Sequence, residues 1–335
     1  MAAADRIVVA GAGSIGCFVG GMLAAAGRPV GLLARPRVVD EIEAHGLRLT
    51  SFDGGDRQVS ARAMTVSDDA AILREAAIVL VCVKSADTAG MAITIAAHAP
   101  RDAVIVSLQN GVANAPVLSR RLTQPVLAGM VPFNVVAMGR GRFHRSTSGD
   151  IVIAADAAAT AARLSTAALP LRASDNILGV QWGKLLVNLN NALNGLSGLP
   201  LRDQLSQRSW RRLLADQIAE ALDVLAAEGI APVSTTPLPA SWTPAILRLP
   251  DPLFRAIAGA MIRIDPQARS SMWEDLQRDR RTEIDYLQGA IIALAERHEL
   301  PTPISDRVVS LIKAAEAKHQ GSPALTPQQI RATMR

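Results

Sequence analysis

Residues 6–16 read RIVVAGAGSIG. A short β-branched run, Ile7 to Val9, stops at Gly11-x-Gly13-x-x-Gly16. An apolar segment at helical spacing then continues to Gly27, and a second strand-like run, PVGLLAR, follows at 29–35. Strand, glycine turn, helix, strand is the context in which this glycine spacing binds a dinucleotide. Gly11 permits the tight turn, Gly13 lets backbone approach a pyrophosphate, and Gly16 lets the helix pack close to the strand. Gly11, Ala12, Gly13, Ser14, Ile15 and Gly16 are therefore the predicted phosphate cradle. The helix N-terminus adds free N–H groups and the positive end of its dipole.

The end of the second strand bears on which dinucleotide is bound. An acidic side chain there would hold a ribose 2′-hydroxyl. This strand ends instead in Ala34-Arg35-Pro36-Arg37, with no acid before Asp40. A guanidinium at Arg35 pairs with a 2′-phosphate through its planar fork. The residues favour NADP(H) over NAD(H), unless Arg35 points away.

Two more apolar runs, Ile78 to Val83 and Ala103 to Leu108, end at Lys84-Ser85 and Gln109-Asn110-Gly111. Open α/β sheets bind ligands beyond the carboxyl ends of their strands, which makes Lys84 and Asn110 site candidates. The plainer alternatives are a solvated loop lysine and an Asn-Gly turn. Segments 126–137 and 142–153, split by Gly139-Arg140-Gly141, read as two further strands joined by a hairpin and closing the sheet edge.

The 335 residues suggest two domains, read as 1–172 and 173–335. With 49% hydrophobic and 19% charged residues, the chain buries a sizeable core. A net charge of +5 and a pI near 9.8 suit an anionic cofactor or a carboxylate substrate. They do not indicate nucleic acid, because the basic residues are scattered and one Tyr and five Phe supply few stacking surfaces. Cys17 and Cys82 lie in apolar surroundings and read as buried free thiols, compatible with a reducing cytoplasm. No signal peptide or membrane span is apparent. The histidines are isolated, so no metal site is predicted.

After Pro170 the pattern becomes helical, with predicted helices at 178–194, 204–228, 241–262, 268–298 and 304–318. Segment 229–252 holds six prolines and reads as a long connection, and the polar tail after Gly321 as loosely ordered. The first of these helices, QWGKLLVNLNNALNG at 181–195, carries four asparagines around one lysine, although asparagine is a mediocre helix former. At about 100° per residue, Asn188 and Asn191 share a stripe with Lys184. Amides around a single cation suit a binding site, where they hold a ligand without adding charge. The other dense segment, SSMWEDLQRDRRTEID at 270–285, repeats Ser271, Asp275, Asp279 and Glu283 every four residues. By itself it reads as a charged helix face.

Together these motifs resemble the ketopantoate reductase family: GAGSIG, Lys84 after a strand, QNG at 109–111, W-x-K-L-x-x-N at 182–188, SSM-x-x-D and R-x-T-E-I-D within 270–285, and HELPTP at 298–303. The resemblance spans nearly the whole chain. It implies an N-terminal Rossmann domain, an all-α C-terminal domain of the 6-phosphogluconate-dehydrogenase-like kind, and an NADPH site in the cleft between them. The implied reaction reduces a 2-oxo acid to a 2-hydroxy acid, with 2-dehydropantoate the leading substrate. Lys184 would be the general acid. Asn110 and Asn188 would hold cofactor and substrate, Ser271 would touch the substrate, and Glu283 would anchor a substrate hydroxyl. The chemistry is coherent, since a cation beside a carbonyl stabilises the alkoxide formed by hydride attack.

Two departures concern the substrate. Ala192 stands where the family often has a second asparagine, with Asn191 as its replacement, and Ala268 stands where it often has a third. A different branched or aromatic 2-oxo acid is therefore an alternative, as is a non-catalytic NADP(H)-binding regulator. For a homodimer the sequence carries no specific signal.

Overall fold

A computed structural model describes residues 5–234, 238–259 and 266–332. The chain forms two compact units, Met1–Ile177 and Leu178–Arg335. The first is α/β and the second all-helical, as the sequence predicts.

The first unit is built on strands β1 Ile7–Ala10, β2 Val30–Leu33, β3 Leu47–Ser51, β4 Asp56–Val59, β5 Thr65–Ser67, β6 Ile78–Val81, β7 Val104–Ser107, β8 Val126–Met130, β9 Val135–Gly139, β10 Arg142–Arg145, β11 Ile151–Ala154 and β12 Leu171–Ser174. Its helices are α1 Ser14–Ala25, α2 Pro36–His45, α3 Thr88–His98, α4 Asn114–Ser119 and α5 Thr160–Leu164. Eight strands form one sheet in the order β12-β11-β8-β7-β6-β1-β2-β5, parallel except where β8 meets β11. Strands β1, β2 and β6 are buried along their whole length, which is why they are written as continuous apolar runs. Alternate residues of β1 feed opposite faces. Ile7 and Val9 join the core under α1, with Phe18 and Leu23, while Val8 and Ala10 join the core under α3, with Ala92 and Ile95.

The predicted hairpin forms at residues 139–141, but it does not close the edge of this sheet. Segments 126–137 and 142–153 each break into two strands. Strands β8 and β11 stay in the large sheet, whereas β9 and β10 join β3 and β4 in a separate sheet of order β4-β3-β10-β9. The cause is local. Pro132 cannot donate to a ladder, and Gly149, at φ +123°, turns the chain back toward β11.

The second unit comprises α6 Ile177–Asn188, α7 Asn190–Ser197, α8 Leu201–Ser206, α9 Arg208–Ala227, α10 Thr243–Arg248, α11 Asp251–Ala258, α12 Ser271–Gln277, α13 Ile284–Arg297, α14 Pro303–Lys318 and α15 Pro327–Arg331. Several of the long predicted helices are broken. Gln207 is extended between α8 and α9, Pro250 divides α10 from α11, and Asp279, at φ +51°, lies in the turn between α12 and α13. Ser271 and Glu283 therefore lie on different helices rather than on one charged face. Residues 260–262 of the predicted helix 241–262 lie outside the described residues. The tail is ordered in α15, where Thr326 and Gln329 form a capping box and Ile330 is fully buried. Among the described residues no helix is long and apolar enough to cross a membrane, and no group of His, Cys, Asp or Glu is placed to hold a metal ion.

Arg211 on α9 is fully buried and joins four of these helices. Its guanidinium donates to the carbonyls of Leu205, Ser206, Leu247 and Leu249 at 3.0–3.3 Å and to Asp251 Oδ1 at 2.7 Å. It also lies 4.1 Å from the Phe254 ring centroid. A cation at the carboxyl ends of α8 and α10 satisfies carbonyls that a helix leaves open. Replacing Arg211 with Ala orphans those carbonyls in the interior. The expected loss is about 3–5 kcal/mol, read as a fall of roughly 10 °C in Tm by calorimetry; an unchanged Tm would refute this account.

Candidate active site

The glycine turn closes β1. Gly11 has φ +102°, and a Cβ there would lie 2.6 Å from Val83 Cγ1 and 2.8 Å from Val83 N. The turn thus packs against the residue before Lys84. A Cβ on Gly16 would overlap the Gly11 carbonyl oxygen, so this glycine sets how closely α1 approaches the turn. Gly13 differs, since a Cβ there would meet nothing within 4 Å. The N–H groups of Gly11 and Ala12 both donate to the Leu33 carbonyl, at 3.2 and 3.0 Å, which ties the turn to β2. Gly13 is the N-cap of α1 and supplies no side-chain cap. The first-turn N–H groups at Ser14, Ile15 and Gly16 are the ones a helix leaves without an intrahelical partner, and backbone donors of this kind suit an anion. Burial pushes the neighbouring Cys17 and Cys82 thiols up to about 12, so neither is a thiolate at neutral pH.

Arg35 is exposed and forms the N-cap of α2, with Pro36 as the first helical residue. Its carbonyl accepts from Val38 and Val39 N–H at 2.8 and 3.1 Å. The guanidinium therefore rises from the amino end of a helix, where an anion is also favoured by the dipole.

Lys84 and Asn110 are exposed at the carboxyl ends of β6 and β7. The order β7-β6-β1-β2 sets those ends beside the glycine turn. Gly111, at φ +86°, turns the chain away after Asn110.

In the second unit, Lys184 sits on α6 between Gly183 and Leu185. A Cβ on Gly183 would collide with the Val233 carbonyl oxygen, and Val233 N–H donates to the Gly179 carbonyl at 2.8 Å. Segment 230–234 therefore lies across the two glycines one turn apart. Lys184 is half-buried, and loss of hydration lowers its pKa to about 8. Asn188, one turn on, is buried, and Asn191 is half-buried.

The four asparagines divide into two pairs. Asn188 lies one turn beyond Lys184 on α6, and Asn191 follows on α7, past the break at Leu189. Asn190 and Asn194 face the interior, where both bond to the Gln204 amide on α8. Asn194 Oδ1 also accepts the Ser270 N–H at 2.9 Å, and Ser270 Oγ donates to the Asn191 carbonyl at 2.9 Å. These bonds fasten the start of α12, where Ser271 follows Ser270, to α7. Glu283 is the N-cap of α13. The turn before it is held by Thr282 N–H donating to Glu316 at 2.7 Å. One turn into α13, Gln288 Nε2 donates to the Leu189 carbonyl at 2.9 Å, at the seam between α6 and α7. Gln288, Ser270 and Gln204 escaped the sequence reading. Only Ser270, as the N-cap of α12, carried a local signal. Ala192 is fully buried. Asn191, beside it, presents the amide.

The chain matches the ketopantoate reductase PanE/ApbA family over residues 7–157 and the C-terminal domain of that family over residues 176–316. It is 28% identical over 321 residues to 2-dehydropantoate 2-reductase of Halobacterium salinarum, which covers 93% of this chain and 99% of that protein. A PanE/ApbA family ketopantoate reductase from Ralstonia eutropha JMP134 superposes with a TM-score of 0.79 at 34% identity, over 94% of this chain and 99% of that one. The fold is shared with D-mandelate dehydrogenase, solved with NADH and anilino(oxo)acetate, at a TM-score of 0.77 and 22% identity, over 94% and 99% of the two chains. The chain belongs to the ketopantoate reductase family and is an oxidoreductase acting on CH–OH groups.

The glycine geometry separates two effects. Gly13→Ala keeps the fold, with Tm within about 2 °C, and weakens dinucleotide binding about tenfold or more by filling the phosphate approach. Gly16→Ala lowers both Tm and binding. Calorimetry and a fluorescence titration distinguish them, and a Gly13→Ala protein that binds normally would disprove the cradle.

Proposed function

We propose that this member of the family reduces 2-dehydropantoate to pantoate with NADPH, Lys184 serving as general acid. The observation that carries the reading is a half-buried lysine on α6, one turn from the buried amide of Asn188, its pKa lowered to about 8 by burial. Such a group is mostly protonated at neutral pH and gives up its proton more readily than an ordinary lysine.

When bound, NADPH supplies the hydride that reduces the carbonyl carbon. The backbone of residues 11–16 and the amino end of α1 fit its pyrophosphate. Arg35, at the amino end of α2, pairs with the 2′-phosphate and selects NADP(H) over NAD(H). Lys84 and Asn110 hold the cofactor from the neighbouring strand ends, Asn110 also reaching the substrate. Lys184 Nζ faces the ketone oxygen, stabilises the negative charge that grows there and delivers the proton. Asn188 and Asn191 orient the 2-oxo acid without adding charge. Ser271, the first residue of α12, hydrogen-bonds the substrate. Glu283, the N-cap of α13, accepts from its hydroxyl. A larger or aromatic 2-oxo acid is the second reading. It is favoured by Arg269, which stacks 4.6 Å over the Trp273 ring on either side of Ser271 in sequence.

The test is NADPH oxidation with 2-dehydropantoate and a panel of other 2-oxo acids. Lys184→Ala should lower kcat by about 10²-fold or more while NADPH still binds. The reduction needs the ammonium form, so kcat/KM should be level below the Lys184 pKa and fall as pH rises through about 8. A profile flat to pH 10 would remove Lys184 from the role of acid. Turnover of another 2-oxo acid alone keeps the mechanism and moves the substrate, and cofactor binding with no turnover points to a regulator. Arg35→Ala should raise KM for NADPH about tenfold and leave that for NADH unchanged; equal effects on both would argue against a 2′-phosphate contact.

A further inference from the structure

Below Lys84 and Asn110 lies a cluster of polar side chains with no part in the proton or hydride steps. Ser85, Thr88, Ser107, Gln109 and Asn114 are all buried, none more than 6% exposed. Thr88 is at its centre. Its hydroxyl accepts from Gln109 Nε2 at 2.7 Å and lies 2.8 Å from both the Ser85 carbonyl and Asn114 Oδ1, sharing its one proton between them. Asn114 Nδ2 donates to the Asn110 carbonyl at 2.6 Å and to Ser85 Oγ at 3.2 Å, and Ser85 Oγ donates to that same carbonyl at 3.1 Å. Gln109 Nε2 reaches across to the Val83 carbonyl at 3.1 Å, while its Oε1 accepts from Ser107 Oγ at 3.1 Å.

The bonds end at two places. One is Val83, which precedes Lys84 and packs on Gly11. The other is the Asn110 carbonyl, which precedes the turn at Gly111. The last paired residues of β6 and β7 are Val81 and Ser107. Beyond them the regular ladder stops, and side chains bind the two loops instead. An apolar filling would hold a core as well, and a buried network specifies one arrangement only when each member is satisfied. The residues it specifies are Lys84 and Asn110, exposed at the strand ends.

We infer that Thr88 is a positioning residue for the cofactor, its hydroxyl joining the β6 and β7 loops so that Lys84 and Asn110 meet the bound dinucleotide in register. The inference rests on the reading that Lys84 and Asn110 hold NADP(H). Thr88→Val keeps the shape and removes the hydroxyl, and Thr88→Ser keeps the hydroxyl. Kd for NADPH by fluorescence titration, KM for each substrate and Tm are measured on both variants and on the native chain. Thr88→Val should raise Kd and KM for NADPH about tenfold, with a smaller rise in KM for the 2-oxo acid, which Asn110 also reaches. Thr88→Ser should restore Kd to within about twofold. A Thr88→Val protein with lowered Tm and native NADPH affinity would overturn the inference and leave the network a structural one. If Thr88→Val does not fold, Gln109→Met cuts the link to the Val83 carbonyl and is read by the same criteria. Failure of the native chain itself to bind NADPH would overturn the cofactor reading, and this inference with it.

Discussion

An ammonium held partly out of water is costly, and the helical unit is arranged around that cost at Lys184. The lysine must sit on a helix that is otherwise interior, so its neighbours on the stripe are amides rather than further charges. The helix must also be fixed, because a mobile ammonium would return to water. Three contacts fix it. Segment 230–234 lies on Gly179 and Gly183. Gln288 takes the Leu189 carbonyl at the seam. Asn194 and the Asn191 carbonyl receive Ser270. Each contact also places another element: the last two bring in α13, which starts at Glu283, and α12, which starts at Ser271.

In the α/β unit the corresponding constraint is steric. Gly11 and Gly16 have no room for a Cβ, while Gly13 has room that nothing fills. The first two glycines make the turn and the third keeps its outer side open. The anion cradle is then a by-product of helix geometry, supplied by N–H groups that would otherwise need caps. The strand order brings the ends of β6 and β7 beside it, so charged and amide groups join the site without any change to the core.

The sequence made the glycine turn legible because its signal is local: three glycines, a β-branched run before them and a helical run after. Lys184 and Asn188 were legible for the same reason, one turn apart on α6, whereas Asn191 falls on α7, past the break at Leu189. Asn190 and Asn194 were counted only among the amides around Lys184. Their role is set by Gln204 and Ser270, which are distant in sequence and leave no mark on spacing. Pro250 is a local breaker that the helical pattern of 241–262 overrode, whereas the break at Gln207 has a tertiary cause. Nothing near Gln207 announces that Arg211 will gather the carbonyls of α8 and α10. The four-stranded sheet was invisible because β4 is polar along most of its length and its partners are far apart.

That second sheet bears on how the chain comes to fold. Strand β10 pairs in parallel with β3, and Thr50 meets His144 at 2.8 Å across 94 residues of sequence. Until residues 142–145 arrive, the β3–β4 hairpin presents an unpaired edge with Leu47 and Leu49 lacking the cover they have in the finished unit. The intervening chain includes half of the large sheet, β5 to β8, so the hairpin waits on structure that forms between its own strands and β10. Closing so long a loop before its contacts repay the lost entropy makes assembly of this unit slow relative to the local helix pairs of the second. During synthesis the exposed hairpin edge is the place where a wrong strand would add.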